Sequence, residues 1–136
     1  MTTRFDVYAV GNALVDLEYR VEDSVLQQLG VEKGVMTLAE ADAQARLLSV
    51  LDTQHSREKQ ACGGSAANSI IAASAFGSRC FYSCKVANDS LGDFYRQDLL
   101  AAGVSTNLQE QRPAGVSGTC VVMVTPDSER TMNTYL

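Results

Sequence analysis

The 136-residue sequence has a single histidine, His55, and no cluster of basic residues. A lone histidine in the polar run 53–60 predicts a solvated loop or the end of an element rather than a metal ligand or a general base. The 11 basic residues are scattered among 16 acidic ones, and the net charge is -5. The sequence therefore predicts no nucleic-acid partner.

Long apolar runs are also missing. No stretch approaches the length that a membrane-spanning helix needs. The first residues contain Arg4, Asp6 and Asp16, which interrupt the apolar region that a signal peptide requires. We therefore expect a cytoplasmic protein without a membrane partner.

The four cysteines, Cys62, Cys80, Cys84 and Cys120, lack the short paired spacing of a zinc site or a redox dithiol. We expect them to be reduced. Cys80 and Cys84 lie four apart in a predicted strand, so both should pack on the same side as small apolar groups. The sequence thus predicts no metal site.

The sequence does contain an alternation of strands and helices that is typical of an α/β fold with βαβ units. Apolar alternation and turn residues predict strands at 5–11, 17–21, 57–61, 80–86, 119–124 and 130–136. Helices are predicted at 23–29, at 38–51 behind a capping box of Thr37 and Glu40, at 66–76 and at 91–102. The helix before Gly77 is small or apolar on nearly every face, which predicts burial against a sheet. The strands at 17–21 and 57–61 alternate with charged residues and could pair into a small separate sheet.

Asn12 and Asp16 follow the carboxyl end of the first predicted strand, where ligands bind in open α/β sheets. A carboxylate accepts hydrogen bonds from two neighbouring hydroxyls, and an asparagine both donates and accepts. These residues suit a sugar-like ligand. The alternative is that they only cap a turn.

Gly63 and Gly64 precede the small-residue helix, and adjacent glycines let a backbone approach a ligand closely. The spacing is neither that of a Walker loop nor that of a dinucleotide fingerprint. Asn68, one turn into the helix, predicts either a ligand contact or a buried structural hydrogen bond.

The run Gly63-Gly64-Ser65-Ala66-Ala67-Asn68, with its helix to Gly77 and the strand to Lys85-Val86, resembles the first signature of the PfkB carbohydrate kinases. Gly11-Asn12 with Asp16 resembles the amino-terminal motif of the same family. Within it, Asn68-Ser69-Ile70, Gly118-Thr119-Cys120 and Arg130 are most similar to adenosine kinases.

The resemblance implies a ribokinase-like, Rossmann-like α/β core, here partial, with a small β-sheet lid and the acceptor bound between them. It implies that Asn12, Asp16 and Asn68 bind substrate hydroxyls, that Gly63 and Gly64 bring backbone close to the sugar, and that Arg130 approaches the transferred phosphate. The chain is then the amino-terminal portion of one kinase domain. Its core elements would lie at about 5–16, 38–51 and 64–104, and its lid strands at about 17–36, 57–62 and 105–136, the last partly core.

The family's activity is ATP-dependent transfer of a phosphoryl group to a hydroxyl of a nucleoside or sugar, with Mg²⁺. Its second signature, which supplies an anion hole and the catalytic aspartate, has no counterpart after Val86. Phosphoryl transfer needs an oriented nucleophile and charge neutralisation. We therefore identify no catalytic residue and expect this chain alone to be inactive, as the acceptor-binding half of a longer parent.

Two other interpretations stay open. The chain could be a truncated, non-catalytic ligand-binding or dimerisation module, since a lid sheet with free edges can pair with a second chain or remain alone. A reading frame that continues into a Gly-Ala-Gly-Asp segment would exclude this module. An unrelated dinucleotide-binding domain is the third interpretation, and the absent glycine fingerprint counts against it.

Overall fold

The computed structural model describes residues 3–136 and shows an α/β fold. Within these residues, strands lie at Val7–Val10 (β1), Leu14–Arg20 (β2), Met36–Leu38 (β3), Arg57–Gly63 (β4), Cys80–Ser83 (β5), Ser105–Thr106 (β6), Thr119–Val124 (β7) and Arg130–Tyr135 (β8). Helices lie at Asp23–Leu29 (α1), Ala41–Gln54 (α2), Ser65–Ala75 (α3) and Ser90–Ala101 (α4). The predicted fold class is confirmed.

The chain divides into two compact units. The first unit contains the residues up to Val15 and Ala61–Gly118, and the second contains Asp16–Gln60 and Thr119–Leu136. Each unit is therefore assembled from two separate stretches of sequence. The predicted division into core and lid segments stays a prediction.

The first unit is built on a three-stranded sheet in the order β1-β5-β6. β5 pairs in parallel with both neighbours, with Val7 opposite Cys80 and Phe81 opposite Ser105. α3 packs on β1 and β5, and α4 packs on β6. Such helix crossovers are what parallel strands require.

α3 packs against the sheet as predicted, but it is buried along one stripe only. Ala67 and Ile70 are buried, whereas Asn68, Ala72 and Ala75 are exposed. Phe76, which follows the helix, is 92% exposed. A single sheet face buries only one stripe of a helix. The small residues of α3 therefore permit close packing on that stripe without requiring burial elsewhere.

The second unit is built on a five-stranded sheet in the order β3-β8-β7-β2-β4. β7 and β8 are antiparallel, and β3 pairs with β8 in parallel. On α2, the buried Gln44 donates hydrogen bonds from Nε2 to the Thr119 hydroxyl at 3.0 Å and to the carbonyl of Asn133 at 2.9 Å. This amide ties the helix to the sheet.

Local signals gave the correct bounds for α1, but they placed the start of α2 three residues too early, at 38 instead of 41. α1 ends as predicted at Gly30, which has φ +65° and closes the helix in the left-handed conformation. α2 begins at Ala41, and no side chain caps it. The predicted capping box is wrong because Thr37 lies in β3, opposite Asn133 of β8.

The strand predicted at 80–86 is also shorter, and it ends at Ser83. The Asn107 side chain accepts a hydrogen bond from the Cys84 amide and donates one to the Cys84 carbonyl, both at 3.0 Å. This side chain takes the place of a further strand partner. All four cysteines are free, as predicted, and all four are buried. Within residues 3–136, no helix combines the length and the apolar character needed to cross a membrane.

Candidate functional site

The two glycine-containing connections of the first unit lie in direct contact. Gly64 has φ +100°, and a Cβ atom built on it would lie 2.5 Å from the carbonyl oxygen of Asn12. A Cβ on Gly11 would lie 2.7 Å from Cβ of Ala66. At Gly64 only glycine permits both the positive φ and the approach, and at Gly11 the close approach alone requires glycine. The structure therefore brings the Gly11–Asn12 and Gly63–Gly64 motifs into contact, because neither Gly11 nor Gly64 has a Cβ atom to keep them apart.

The amino-terminal turn of α3 lies beside this junction. The residue before it, Gly64, has no side chain that could cap the helix. Helix-initial amides without an intrahelical partner are a favourable place for a polar or anionic ligand group. The Asn68 amide donates to the Gly64 carbonyl at 3.0 Å and so fixes this turn on the junction.

Asn12 and Asn68 both have exposed side chains, and among residues 3–136 neither side chain has a hydrogen-bond partner. The alternative of a buried structural hydrogen bond at Asn68 is therefore wrong. Asn12 likewise caps no turn with its side chain. Both amides are free to meet a ligand, and their ligand-binding role stays a prediction.

Asp16 lies inside β2 and not in the turn that the alternative interpretation assumed. Its carboxylate is partly buried and makes no hydrogen bond or ion pair within the described residues. Burial raises the pKa of Asp16, and the charge of Lys59 on β4 opposes that rise. A carboxylate kept partly dehydrated without a partner is typical of a ligand-binding position.

The predicted site residues are distributed over both units. Asn12, Gly63, Gly64 and Asn68 belong to the first unit, and the structure groups them around one junction. Asp16 and Arg130 belong to the second unit, where Arg130 is the exposed first residue of β8. The binding role of each residue stays a prediction.

Three residues of the first unit were missed by the sequence analysis. Tyr82 on β5 donates a hydrogen bond to the Asn12 carbonyl at 3.1 Å. From α4, Tyr95 donates to the Gly63 carbonyl at 3.1 Å, and Asp98 accepts from the Cys62 amide at 3.0 Å. No local pattern could have identified these contacts, because their partners are backbone atoms more than thirty residues away.

Among the described residues, the surface depressions of the second unit include two that contain neither Asp16 nor Arg130. The larger, about 550 Å³, is lined in part by Gln28, Glu32, Thr37 and Arg46, which are exposed side chains. The smaller, about 330 Å³, includes His55 and Pro126. A binding site needs convergent, partly dehydrated polar groups. The exposed side chains that line the larger depression do not meet this requirement.

In the part of the chain from residue 3 onward, no three side chains of His, Cys, Asp or Glu are arranged to hold a metal ion. Mg²⁺ in nucleotide-dependent enzymes is held largely by waters and substrate phosphates with one or two carboxylates. ATP and Mg²⁺ therefore remain expectations that the resemblance implies.

The family profile described as pfkB family carbohydrate kinase matches residues 7–136. An adenosine kinase from Sinorhizobium meliloti is 38% identical, with a TM-score of 0.80 over 98% of this chain and 40% of its own. A probable sugar kinase protein from Rhizobium etli CFN 42 is 37% identical, with a TM-score of 0.79 over 99% and 40%. Anopheles gambiae adenosine kinase, in complex with P1,P4-di(adenosine-5) tetraphosphate, is 25% identical, with a TM-score of 0.81 over 96% and 38%. Among curated proteins, no sequence matches the chain.

The chain thus spans about 40% of the length of the relatives that it matches. Its mixed α/β structure has the ribokinase-like fold of adenosine kinases, in part, and the predicted resemblance is confirmed. An unrelated dinucleotide-binding domain is excluded by the same matches. The chain belongs to the pfkB family of carbohydrate kinases.

Proposed function

We propose that this chain supplies the acceptor-binding residues of an ATP-dependent kinase that phosphorylates a hydroxyl of a nucleoside or sugar. The single observation that carries the proposal is the junction at which the Asn12 carbonyl fills the side-chain space of Gly64. This contact places two family motifs together, with the free Asn12 and Asn68 amides in the same unit. Adenosine is the first acceptor to test, because two of the three relatives described above are adenosine kinases.

In this proposal, Asp16 accepts hydrogen bonds from two neighbouring hydroxyls of the acceptor. Its carboxylate is partly buried and unpaired among the described residues, so a ligand hydroxyl would replace lost hydration rather than compete with a protein partner. Asn12 and Asn68 bind further hydroxyls, and the backbone at Gly63 and Gly64 lies against the sugar. Arg130 contacts the transferred phosphate.

The chemical step requires more than these residues provide. A hydroxyl nucleophile needs a base within hydrogen-bond reach, and the transferred phosphoryl group needs positive charge and backbone donors around it. ATP bound with Mg²⁺ would supply the phosphoryl group. This chain's own residues bind and orient the acceptor, and we propose a cytoplasmic parent kinase, of the length of the relatives, in which turnover occurs.

The test is ATP turnover by this chain and by the parent kinase, with adenosine, ribose and fructose as acceptors. We expect the parent kinase to phosphorylate one of them and this chain alone to show no turnover. Phosphorylation by the 136-residue chain would contradict the proposed division of labour. A parent that phosphorylates none of these acceptors would contradict the kinase proposal.

The role of Asp16 is tested in the parent kinase by Asp16→Ala. Loss of a dehydrated charged hydrogen-bond group should lower kcat/KM by the equivalent of about 2–5 kcal/mol. Glu18→Ala is the matched control, because Glu18 is the next outward-alternating residue of β2 and is also partly exposed. Equal decreases in kcat/KM for the two substitutions would show that Asp16 does not bind the acceptor.

A second candidate function, self-association, has one observation in its favour. β3 is an edge strand of the five-stranded sheet, and Val35, Met36 and Leu38 are 37%, 55% and 66% exposed. The opposite edge, β4, carries Arg57, Glu58 and Lys59 and is poorly suited to apolar pairing. We propose β3 as the pairing edge of a homodimer. A sedimentation experiment on Leu38→Lys should then show monomer where the unchanged chain shows dimer.

A further inference from the structure

Two tyrosines of the first unit are completely buried. Tyr82 on β5 and Tyr95 on α4 are each 0% exposed. A buried tyrosine hydroxyl requires a hydrogen-bond partner, because its hydration has been removed. Each hydroxyl has one proton to donate. Tyr82 donates to the Asn12 carbonyl and Tyr95 donates to the Gly63 carbonyl, both at 3.1 Å.

The two carbonyls belong to the two connections that form the glycine junction. The Asn12 carbonyl oxygen both accepts from Tyr82 and fills the space of a Gly64 side chain. A Cβ atom on Gly11 would lie 3.0 Å from the Tyr82 hydroxyl. The Tyr82 hydroxyl thus lies directly beneath the Gly11–Asn12 connection and fixes the direction of its peptide.

α4 binds the Gly63–Gly64 connection at two successive residues, Cys62 and Gly63. Tyr95 binds the carbonyl of Gly63, and Asp98 accepts from the amide of Cys62. Tyr95 and Asp98 are three residues apart and lie on the same face of the helix. The end of β4 is therefore fixed to α4 from both its donor and its acceptor side.

These hydroxyls do more than fill space, because phenylalanine would fill nearly the same volume without a polar group to dehydrate. Burial raises the pKa of both Tyr82 and Tyr95. Both remain protonated donors throughout the physiological pH range. One buried donor is thus fixed to each connection, and the two tyrosines together form a rigid support for both.

We propose that Tyr82 and Tyr95 are positioning residues that together set the distance and orientation of the Asn12 and Gly63–Gly64 segments. Neither hydroxyl touches the acceptor in this scheme. Each acts through a backbone carbonyl, so the pair determines where the hydroxyl-binding groups of the site lie. The effect on catalysis rests on the proposed function, whereas the effect on the backbone does not.

The structural arm of the test measures amide hydrogen exchange in this chain. Tyr82→Phe and Tyr95→Phe each remove one hydroxyl and keep the ring. Loss of a hydrogen bond of ordinary strength should accelerate exchange about fivefold to tenfold at the Gly11 and Asn68 amides, which donate within or beside the two connections. Amides of β7 and β8 should be unchanged. Tyr8→Phe is the matched control, because Tyr8 is 62% exposed in the same unit.

The kinetic arm uses the same variants in the parent kinase. Each should raise the KM for the acceptor about tenfold and leave the KM for ATP unchanged, and the double variant should differ from the product of the two single effects. Faster exchange spread evenly over both units, or no change at the two connections, would overturn the proposal. Faster exchange at the two connections, together with a parent kinase that phosphorylates no acceptor, would support the positioning role of the two tyrosines and refute the proposed function.

Discussion

Two polar clusters of the second unit and the glycine junction of the first unit use different kinds of contact. In the clusters of the second unit, side chains pair with side chains: Tyr19 donates to Asp52 at 2.6 Å and accepts from Arg57 at 3.0 Å, and Lys33 contacts two carboxylates. Around the glycine junction of the first unit, side chains bind backbone atoms instead. A paired side chain holds one element against another, whereas a bound peptide carbonyl fixes the path of the chain. The contacts around the glycine junction therefore specify a backbone shape, which is what the proposed hydroxyl-binding site requires.

Gly64→Ala tests the backbone contacts of the glycine junction, and it should have the largest effect on stability. The backbone conformation of Gly64, φ 100° and ψ 138°, costs a non-glycine residue about 1–3 kcal/mol, and the contact at 2.5 Å adds an overpacking cost of about 1–3 kcal/mol. We expect the free energy of unfolding in urea to fall by about 3 kcal/mol.

Gly77→Ala is the control in the same unit. Its φ of +95° is nearly the same, but no atom lies within 4 Å of the added Cβ. Gly77→Ala should lower the free energy of unfolding only by the cost of the backbone conformation, about 1–2 kcal/mol. Equal losses for the two variants would show that the Asn12 contact contributes nothing.

Tyr19→Phe tests the side-chain pairs of the second unit. It should lower the free energy of unfolding by about 1–2 kcal/mol, because it removes a buried hydroxyl with two partners. Burial, and then the hydrogen bond to Asp52, raise the pKa of Tyr19 to about 12. Its contribution is therefore complete below the usual tyrosine pKa near 10 and is lost as the pH rises through about 12. Tyr135→Phe, on β8 of the same unit, is the control in urea unfolding from pH 7 to 11.

Asp16→Asn should stabilise the chain slightly, which distinguishes Asp16 from the paired carboxylates of its unit. Burial raises the pKa of Asp16, so the ionised form lowers stability above that raised pKa, and the penalty disappears below the usual value of 3.8. We expect a gain of less than about 1 kcal/mol at pH 7 after solvent screening, and none near pH 3. A loss of stability at pH 7 would show that Asp16 has a structural partner.

Lys33→Gln should have the smallest effect. The hydrogen bonds to Asp127 and Asp23 raise the pKa of Lys33 to about 12, but all three side chains reach solvent. Exposed ion pairs contribute little and are screened by salt. A small decrease in Tm at low ionic strength should vanish in about 1 M salt. Lys85→Gln, an exposed lysine of the first unit, provides the baseline.

The sequence predicted the elements whose signals are local. α1 has its predicted bounds because Gly30 closes it, and β7 has its predicted bounds because an apolar run ends at the turn after Val124. Thr37 was misassigned because pairing with β8, far away in sequence, outweighed a local cap. Local chemistry determines where an element can end, and tertiary pairing decides which of the candidates is used.

The same distinction applies to the candidate site. Glycines, asparagines and Asp16 stand out in a sequence because they are unusual beside apolar runs, so the motif residues could be predicted. Tyr82 and Tyr95 resemble ordinary core residues, and their importance depends on which carbonyl each hydroxyl meets. That information exists only after β1, β5 and α4 have come together.

The discontinuity of the two units has a consequence for synthesis on the ribosome. The first unit can close once Gly118 has emerged, but the second lacks β7 and β8 until residues 119–136 have been made. β3 waits the longest, because Met36 pairs with Met132. During that delay β3 has no strand to pair with, and the buried apolar side chains of α2 have no complete sheet to cover them. A nascent chain in this state is a substrate for chaperones. Slow translation after Gly118 would therefore lower the yield of folded protein more than slow translation before Ala61.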